Sequence, residues 1–165
     1  MREHLADGTK VSRSSTPEET EAFGATLAAA RTARADALTV VYLTGDLGAG
    51  KTTLARGFLH ASGITGAIRS PTYTLLEVYE SSPTTLVHLD LYRLRDPAEL
   101  EQLGLRDLAL PGVVWLIEWP EQGAGWLPPA DLHITLSVGP DQGVHTIEAR
   151  AESGYGRSWL ERTRA

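Results

Sequence analysis

Residues 45–53 read Gly-Asp-Leu-Gly-Ala-Gly-Lys-Thr-Thr, a complete match to the pattern G-x-x-x-x-G-K-[ST]. They follow an apolar, β-branched run, Val40-Val41-Tyr42-Leu43, and precede Leu54, Phe58 and Ala61 at helical spacing. The order strand, glycine loop, helix is the context that gives this pattern its meaning. Glycines at 45, 48 and 50 open backbone conformations closed to other residues, so successive N–H groups can converge on phosphate oxygens. The predicted cradle comprises Asp46, Leu47, Gly48, Ala49, Gly50, Lys51, Thr52 and Thr53. Lys51 reaches towards β- and γ-phosphates, Thr52 offers a hydroxyl to Mg²⁺, and the helix aims its positive end at the same anion. The expected ligand is a nucleoside triphosphate.

At 165 residues without low-complexity sequence, one domain with a sizeable core is expected. The absence of cysteine excludes disulfides and thiolate metal sites and fits a reducing compartment. Residues 1–14 are polar and carry no apolar signal core, and no apolar run approaches membrane-spanning length, so a cytoplasmic protein without membrane contact is expected. Fifteen basic against twenty-one acidic residues give a formal net charge of −6, which disfavours tight unaided binding to DNA or RNA. Arginine patches at Arg31 and Arg34, or at Arg93, Arg95 and Arg106, are read as solvated helix faces or contacts for an acidic partner.

Thr16-Pro17-Glu18-Glu19 has capping-box spacing with proline at the first helical position, predicting a helix from about Pro17 with Phe23, Leu27 and Ala30 on one face. A strand at Thr39–Leu43 leads into the loop. Thr72–Tyr79 and Thr85–Leu91, flanking Ser81-Ser82-Pro83, predict a hairpin. Asp96-Pro97 begins a short capped helix that Gly104 stops. Val113–Ile117 is continuously apolar, the pattern of a central strand covered on both faces. Asp131–Val138 and Val144–Arg150 predict a second hairpin, and the tail from Gly154 a short helix around Trp159 and Leu160. The expected division is a flexible segment over 1–14, one domain over 15–152, and a tail or short helix over 153–165.

Hydrolysis needs a metal holder and a group that places water, and open α/β sheets put such groups at strand carboxyl ends. Glu118 ends the buried run. Taken alone it is a polar strand terminator; beside a phosphate loop it becomes a Walker-B-like carboxylate for Mg²⁺ and water. In His88-Leu89-Asp90-Leu91-Tyr92-Arg93, alternation puts His88, Asp90 and Tyr92 on one face. Asp90 can complete the Mg²⁺ shell with His88 orienting it, or can simply pair with Arg93. Carboxylates suit Mg²⁺ better than zinc. Ser70-Pro71-Thr72-Tyr73-Thr74 is a candidate γ-phosphate switch through the hydroxyls of Ser70, Thr72 and Thr74, or ordinary turn chemistry. Trp119 either stacks on a base or partner, or buries against Pro120.

With residues 45–53, Ser-Pro-Thr-Tyr-Thr-Leu at 70–75, His-Leu-Asp-Leu-Tyr-Arg-Leu at 88–94 and Ile-Glu-Trp-Pro-Glu at 117–121 in this order, the chain resembles the bacterial TsaE family. Asp-Pro-Ala-Glu-Leu at 96–100 and Leu103-Gly104 extend the likeness, which runs from about Pro17 to Val138. The resemblance implies a P-loop NTPase-like single α/β domain, with a mixed, mainly parallel central sheet flanked by helices and antiparallel hairpin additions. It further implies a slow ATPase that uses ATP and Mg²⁺ and serves tRNA threonylcarbamoyladenosine synthesis. Its partners would be the TsaB and TsaD proteins, with tRNA met only through that complex. By the same resemblance Lys51 binds phosphate, Thr52, Asp90 and Glu118 serve the metal and hydrolysis, and Ser15 to Thr20 lie near the base. A P-loop small-molecule kinase, the second reading, would need an acceptor pocket and usually an arginine-rich lid; the sequence has no arginine-rich insertion, but Arg93 and Arg106 keep that reading open. A GTPase would need Asn-Lys-x-Asp, which is absent. A nucleotide-gated binding module with negligible turnover is the third reading.

Overall fold

The computed structural model describes residues 3–5, 8–71, 73–140 and 143–163. Its strands are β1 (Glu3–Leu5), β2 (Thr9–Ser14), β3 (Thr39–Thr44), β4 (Leu76–Ser81), β5 (Thr84–Asp90), β6 (Val114–Glu118), β7 (Leu132–Val138) and β8 (His145–Ala151). The helices are α1 (Pro17–Ala30), α2 (Lys51–Ala61), α3 (Leu105–Leu108) and α4 (Gly154–Arg162), with 3₁₀ segments at Pro97–Leu103 and Pro120–Gly123. The strands form one sheet in the order β1-β2-β8-β7-β3-β6-β5-β4. Its centre, β7-β3-β6-β5, is parallel, and antiparallel pairings build both flanks. The expected mixed α/β architecture is the one observed.

The parallel centre explains why Val114–Glu118 is buried throughout: such a sheet needs cover on both faces. On one face Val41, Leu43, Leu86 and Leu116 pack with Phe23 and Leu27 of α1, Leu54 and Phe58 of α2, and Trp159 of α4. On the other, Val40, Val87, Leu89, Trp115 and Ile117 pack with Leu100 and Leu105. The Trp159 indole donates to the Leu27 carbonyl at 2.8 Å and the Trp115 indole to that of Leu108 at 3.1 Å, so neither large ring buries an unpaired N–H.

The local signals largely act as written. The Thr16 hydroxyl caps α1 by accepting from Glu19 N at 3.1 Å, but the Glu19 carboxylate returns to Ser15 N rather than to Thr16 N. Asp96 and Glu99 form a reciprocal capping box on the Pro97–Leu103 segment, which ends at Gly104 with φ 71°. Leu54 and Phe58 enter the core as their spacing predicts, whereas Ala61 is exposed. The tail forms α4, capped by Ser153.

Three expectations are corrected. Thr9–Ser14, assigned to a flexible segment, is a strand whose every residue pairs with β8, from Thr9↔Arg150 to Ser14↔His145. Its mostly polar residues conceal this, because the pairing is made by backbone groups and only Ser12 and Ser14 are buried. The first hairpin strand begins at Leu76 and not at 72: Leu75 takes a left-handed φ of 62°, and its N–H bonds the Pro71 carbonyl, closing a turn. The hairpin's turn is tighter than the sequence suggests, with only Ser82 and Pro83, joined by a cis peptide bond, between β4 and β5.

Helices α1 and α2 touch backbone to backbone through glycine. A Cβ on Gly57 would sit 2.0 Å from the Glu21 carbonyl oxygen, and one on Gly24 would sit 2.1 Å from that of Leu54. Alanine at 57 gains about 1 kcal/mol of helix propensity. The forced separation costs about 1–3 kcal/mol and should outweigh this, leaving Gly57→Ala less stable by up to about 2 kcal/mol. Urea unfolding checks the sign; an unchanged or raised midpoint would contradict the packing.

Candidate functional site

The register of the parallel centre places the chemistry. Leu43 of β3 pairs with Glu118 of β6, and Glu118 pairs with Asp90 of β5, so three strand ends lie in one row. Chain direction then carries residues 45–50 over that row into α2, whose first residue is Lys51. Gly45, Gly48 and Gly50 have φ of 145°, 81° and 107°, the positive angles that the loop was expected to need.

A cleft of about 460 Å³ opens above this row, lined among others by Lys51, Thr52, Ser70, Asp90, Glu118 and Trp119. Leu47, Gly48, Gly50 and Thr53 line its loop side. Asp46 and Ala49 contribute backbone: the Asp46 carbonyl accepts from Lys51 Nζ at 2.9 Å and from Ala49 N at 3.0 Å. Lys51 Nζ also bonds the Gly45 carbonyl at 2.5 Å and lies 4.2 Å from the centre of the Trp119 ring. Trp119 itself packs on Tyr92, with ring centres 4.9 Å apart. The ring is half-buried, and its face covers the lysine.

Glu118 is 2% exposed, and its carboxylate is bound from two sides. Thr52 Oγ1 donates to Oε1 at 2.8 Å and Oε2 at 3.1 Å, while His88 Nε2 lies 2.6 Å from Oε2. His88 was expected to orient Asp90. It holds Glu118 instead, because it pairs across to Leu116 on β6 and its ring reaches diagonally to the next residue on that face. Asp90 accepts from Ser70 Oγ and from Tyr92 N, the latter at 3.0 Å. Arg93 is not its partner in any of these contacts; the guanidinium stacks 5.4 Å from the Tyr73 ring centre.

Of the proposed switch hydroxyls, Ser70 therefore joins the cleft. Thr74 bonds Glu77 at 3.4 Å in a neighbouring groove that Ser70 also lines, and Thr72 lies outside the described residues. Leu75 and Trp119 are the two non-glycine residues with positive φ among those described, and they bracket the site. Each such conformation costs about 1–3 kcal/mol and persists where its surroundings enforce it.

A second cleft of about 280 Å³ lies on the opposite flank of the loop. Ser14, Ser15, Thr16 and Thr20 line it with Thr53 and His145. This is the region the resemblance placed near the base. His145 escaped the sequence reading: its Nδ1 donates to the Ala49 carbonyl at 2.8 Å, tying β8 to the phosphate loop. No local signal marks it, since the contact joins residues far apart in the chain.

Among the described residues no group of three or more His, Asp or Glu is gathered as a self-sufficient metal site. Among the same described residues no helix is long and apolar enough to cross a membrane.

Strand, glycine loop, helix and adjacent strand-end carboxylate together define a P-loop NTPase-like α/β protein. The model of the family "Threonylcarbamoyl adenosine biosynthesis protein TsaE" matches residues 14–146. The tRNA threonylcarbamoyladenosine biosynthesis protein TsaE of Haemophilus influenzae is 47% identical over 119 residues, covering 72% of this chain and 74% of the relative. The Bacillus subtilis protein of the same description is 41% identical over 138 residues, covering 83% and 84%. A crystal structure of Bacillus subtilis YdiB superposes with a TM-score of 0.75 at 29% identity, covering 98% of this chain and 97% of that one. The chain belongs to the TsaE family of tRNA threonylcarbamoyladenosine biosynthesis.

Burial lowers the proton affinity of Lys51 below the usual lysine value, with Glu118 and then Asp90 pulling the other way. Between that lowered value and 10.5 the unfolded chain binds more protons than the native one, so this lysine makes stability rise with pH in that window. Lys51→Met should remove the rise. Urea midpoints of parent and variant across the alkaline range read the difference; parallel curves would show that the lysine is not so disfavoured.

Proposed function

We propose that this protein is an Mg²⁺-dependent ATPase that binds the TsaB–TsaD proteins in its ATP form and resets them after each round of tRNA modification. The observation that carries the reading is the joining of Thr52, at the head of the loop helix, to Glu118, at the end of β6, at 2.8 Å. A threonine that gives its proton to a carboxylate keeps its oxygen lone pairs for a cation. One hydroxyl and one or two carboxylates fit Mg²⁺ that is shared with phosphates, as opposed to an all-protein cage. When bound, the metal would neutralise charge on the β- and γ-phosphates.

The loop N–H groups and the start of α2 bind the phosphates. Lys51 exchanges the Gly45 and Asp46 carbonyls for phosphate oxygens, a short movement of an already positioned ammonium. Glu118 and Asp90 hold the metal shell and polarise the attacking water. The cleft at Ser15, Thr16 and Thr20 receives the base, and the hydroxyl-rich lining suits its polar edge. Ser70, tied to Asp90, connects the metal side to the turn at 70–75, so a γ-phosphate can favour one arrangement of that turn over another.

Loss of a charged phosphate contact in Lys51→Ala should weaken ATP binding by about 1.5–3 kcal/mol, roughly 10- to 150-fold. Calorimetry on the folded variant measures this, and unchanged affinity would remove Lys51 from the site.

Glu118→Ala and Asp90→Ala should lose most ATP turnover while remaining folded. Association with purified TsaB–TsaD should be stronger with ATP than with ADP, and Glu118→Ala should fail to support repeated modification cycles. Equal association with ATP, ADP and no nucleotide, together with full multiple turnover by the variant, would overturn the resetting role. Phosphoryl transfer to a small acceptor would then be the reading to test.

A further inference from the structure

His88 is the motif residue that the proposed cycle leaves without a task. Its imidazole is 0% exposed, its Nε2 lies 2.6 Å from Glu118 Oε2, and its Nδ1 has no hydrogen-bond partner. Nδ1 is the one such buried side-chain atom among the described residues. A carboxylate oxygen with Thr52 already donating to it can only accept from His88, so Nε2 carries the hydrogen. In the neutral ring Nδ1 is then a bare, buried lone pair. The other tautomer would set two lone pairs against each other at 2.6 Å and bury an unpaired N–H as well, which is the costlier arrangement.

The result is a one-way chain of donors. His88 donates to Glu118, Thr52 donates to Glu118, and the Thr52 oxygen faces the cleft with its own proton already committed. A glutamate has three side-chain torsions, and Thr52 alone bonds it from one side. The histidine supplies the second direction that fixes the carboxylate plane. We infer that His88 is a positioning residue: by holding Glu118 it aims the Thr52 oxygen and the free face of the carboxylate at the Mg²⁺ position, without touching metal or nucleotide itself. This rests on the Mg²⁺–nucleotide reading above.

Outer partners of metal ligands typically change metal affinity or activity by roughly 10- to 100-fold when removed. In His88→Leu, the Mg²⁺ concentration that half-saturates the metal-dependent gain in fluorescent-ATP binding should rise by roughly that factor. Binding of the same nucleotide in EDTA should stay at the parent value, because the loop and Lys51 are untouched. His88→Gln, whose amide nitrogen reaches the place of Nε2, should remain near the parent. A histidine that merely fills the core would alter thermal stability in these variants without altering their Mg²⁺ requirement. Nitrogen-15 spectra of the ligand-free parent should show His88 with hydrogen on Nε2 and none on Nδ1.

An Nδ1–H tautomer, a parent-like Mg²⁺ requirement in His88→Leu, or a defect in His88→Gln equal to that of His88→Leu would each overturn the inference. Should the leucine variant not fold, His88→Met supplies the donor-free side chain, and the tautomer of the parent is decisive if neither folds. A parent that binds nucleotide with no help from Mg²⁺ would overturn the proposed function and this inference with it. A Mg²⁺-dependent parent beside an unshifted leucine variant overturns the inference alone.

Discussion

The parallel pairing of β3, β6 and β5 is the constraint on which the site depends. It aligns Leu43, Glu118 and Asp90 in one row, so the loop that begins at Gly45 starts level with both carboxylates. A one-residue slip of β6 would turn Glu118 to the opposite face and put Ile117 or Trp119 in its place. A two-residue slip keeps the face but moves the carboxylate by about 6.6 Å, beyond reach of Thr52. Such slips are opposed by the apolar burial of Val114–Ile117 on both faces, with Leu116 against α2's side and Trp115 and Ile117 against the other. Core packing is therefore what gives the chemistry its geometry.

The same face carries apolar residues and then polar ones, of which His88 and Glu118 are buried and Asp90 is half-buried. Leu86 is followed by His88 and Asp90, and Leu116 by Glu118. Burying a carboxylate is costly unless its oxygens are bonded, and Glu118 meets that condition with His88 and Thr52. The backbone continues the closure: Leu91 N donates to the Glu118 carbonyl at 3.0 Å, and Trp119 N donates to that of Leu43 at 3.3 Å. The chain then leaves the strand through the left-handed Trp119, which turns the indole back over Lys51. Strand end, strained turn and covered lysine form one continuous local solution.

What the sequence made legible follows from range. The phosphate loop, its flanking strand and helix, the two hairpins and the Asp96 cap are written within a few residues, and each formed. The lysine, the threonine and both carboxylates could be named because their residue types fit a spacing. Thr9–Ser14 could not be read as a strand, since β8, the partner along its whole length, is more than a hundred residues away and its sequence lacks apolar alternation. The target of His88 was misread for a related reason. Alternation shows which face a residue takes, but not whether its ring turns along its own strand to Asp90 or across to Glu118. His145 lies further still from what a local pattern can show, being defined only by where β8 passes the loop. Thr74 shares a motif with Ser70 but not its partner, since it bonds Glu77 where Ser70 bonds Asp90.

Strength of attachment differs across this site, and the difference matters to the proposed cycle. Glu118 lies in a central strand flanked by β3 and β5, and local opening there would expose core on both faces. Ser70 and the turn after it border β4, an edge strand in which no residue is fully buried. Segments with little buried apolar surface open at low free-energy cost, and elements that move are drawn from them. Tyr73, 88% exposed with the Arg93 guanidinium over its ring, belongs to that turn. In the proposed cycle a ligand on the row of Thr52, Glu118 and Asp90 would have a pliable neighbour to act upon, reached through the hydroxyl bond from Ser70 to Asp90. Differential contact at that bond would alter the turn and leave the sheet as it is, so in this cycle the surface that responds to nucleotide would be residues 70–75 and the β4 edge beside them.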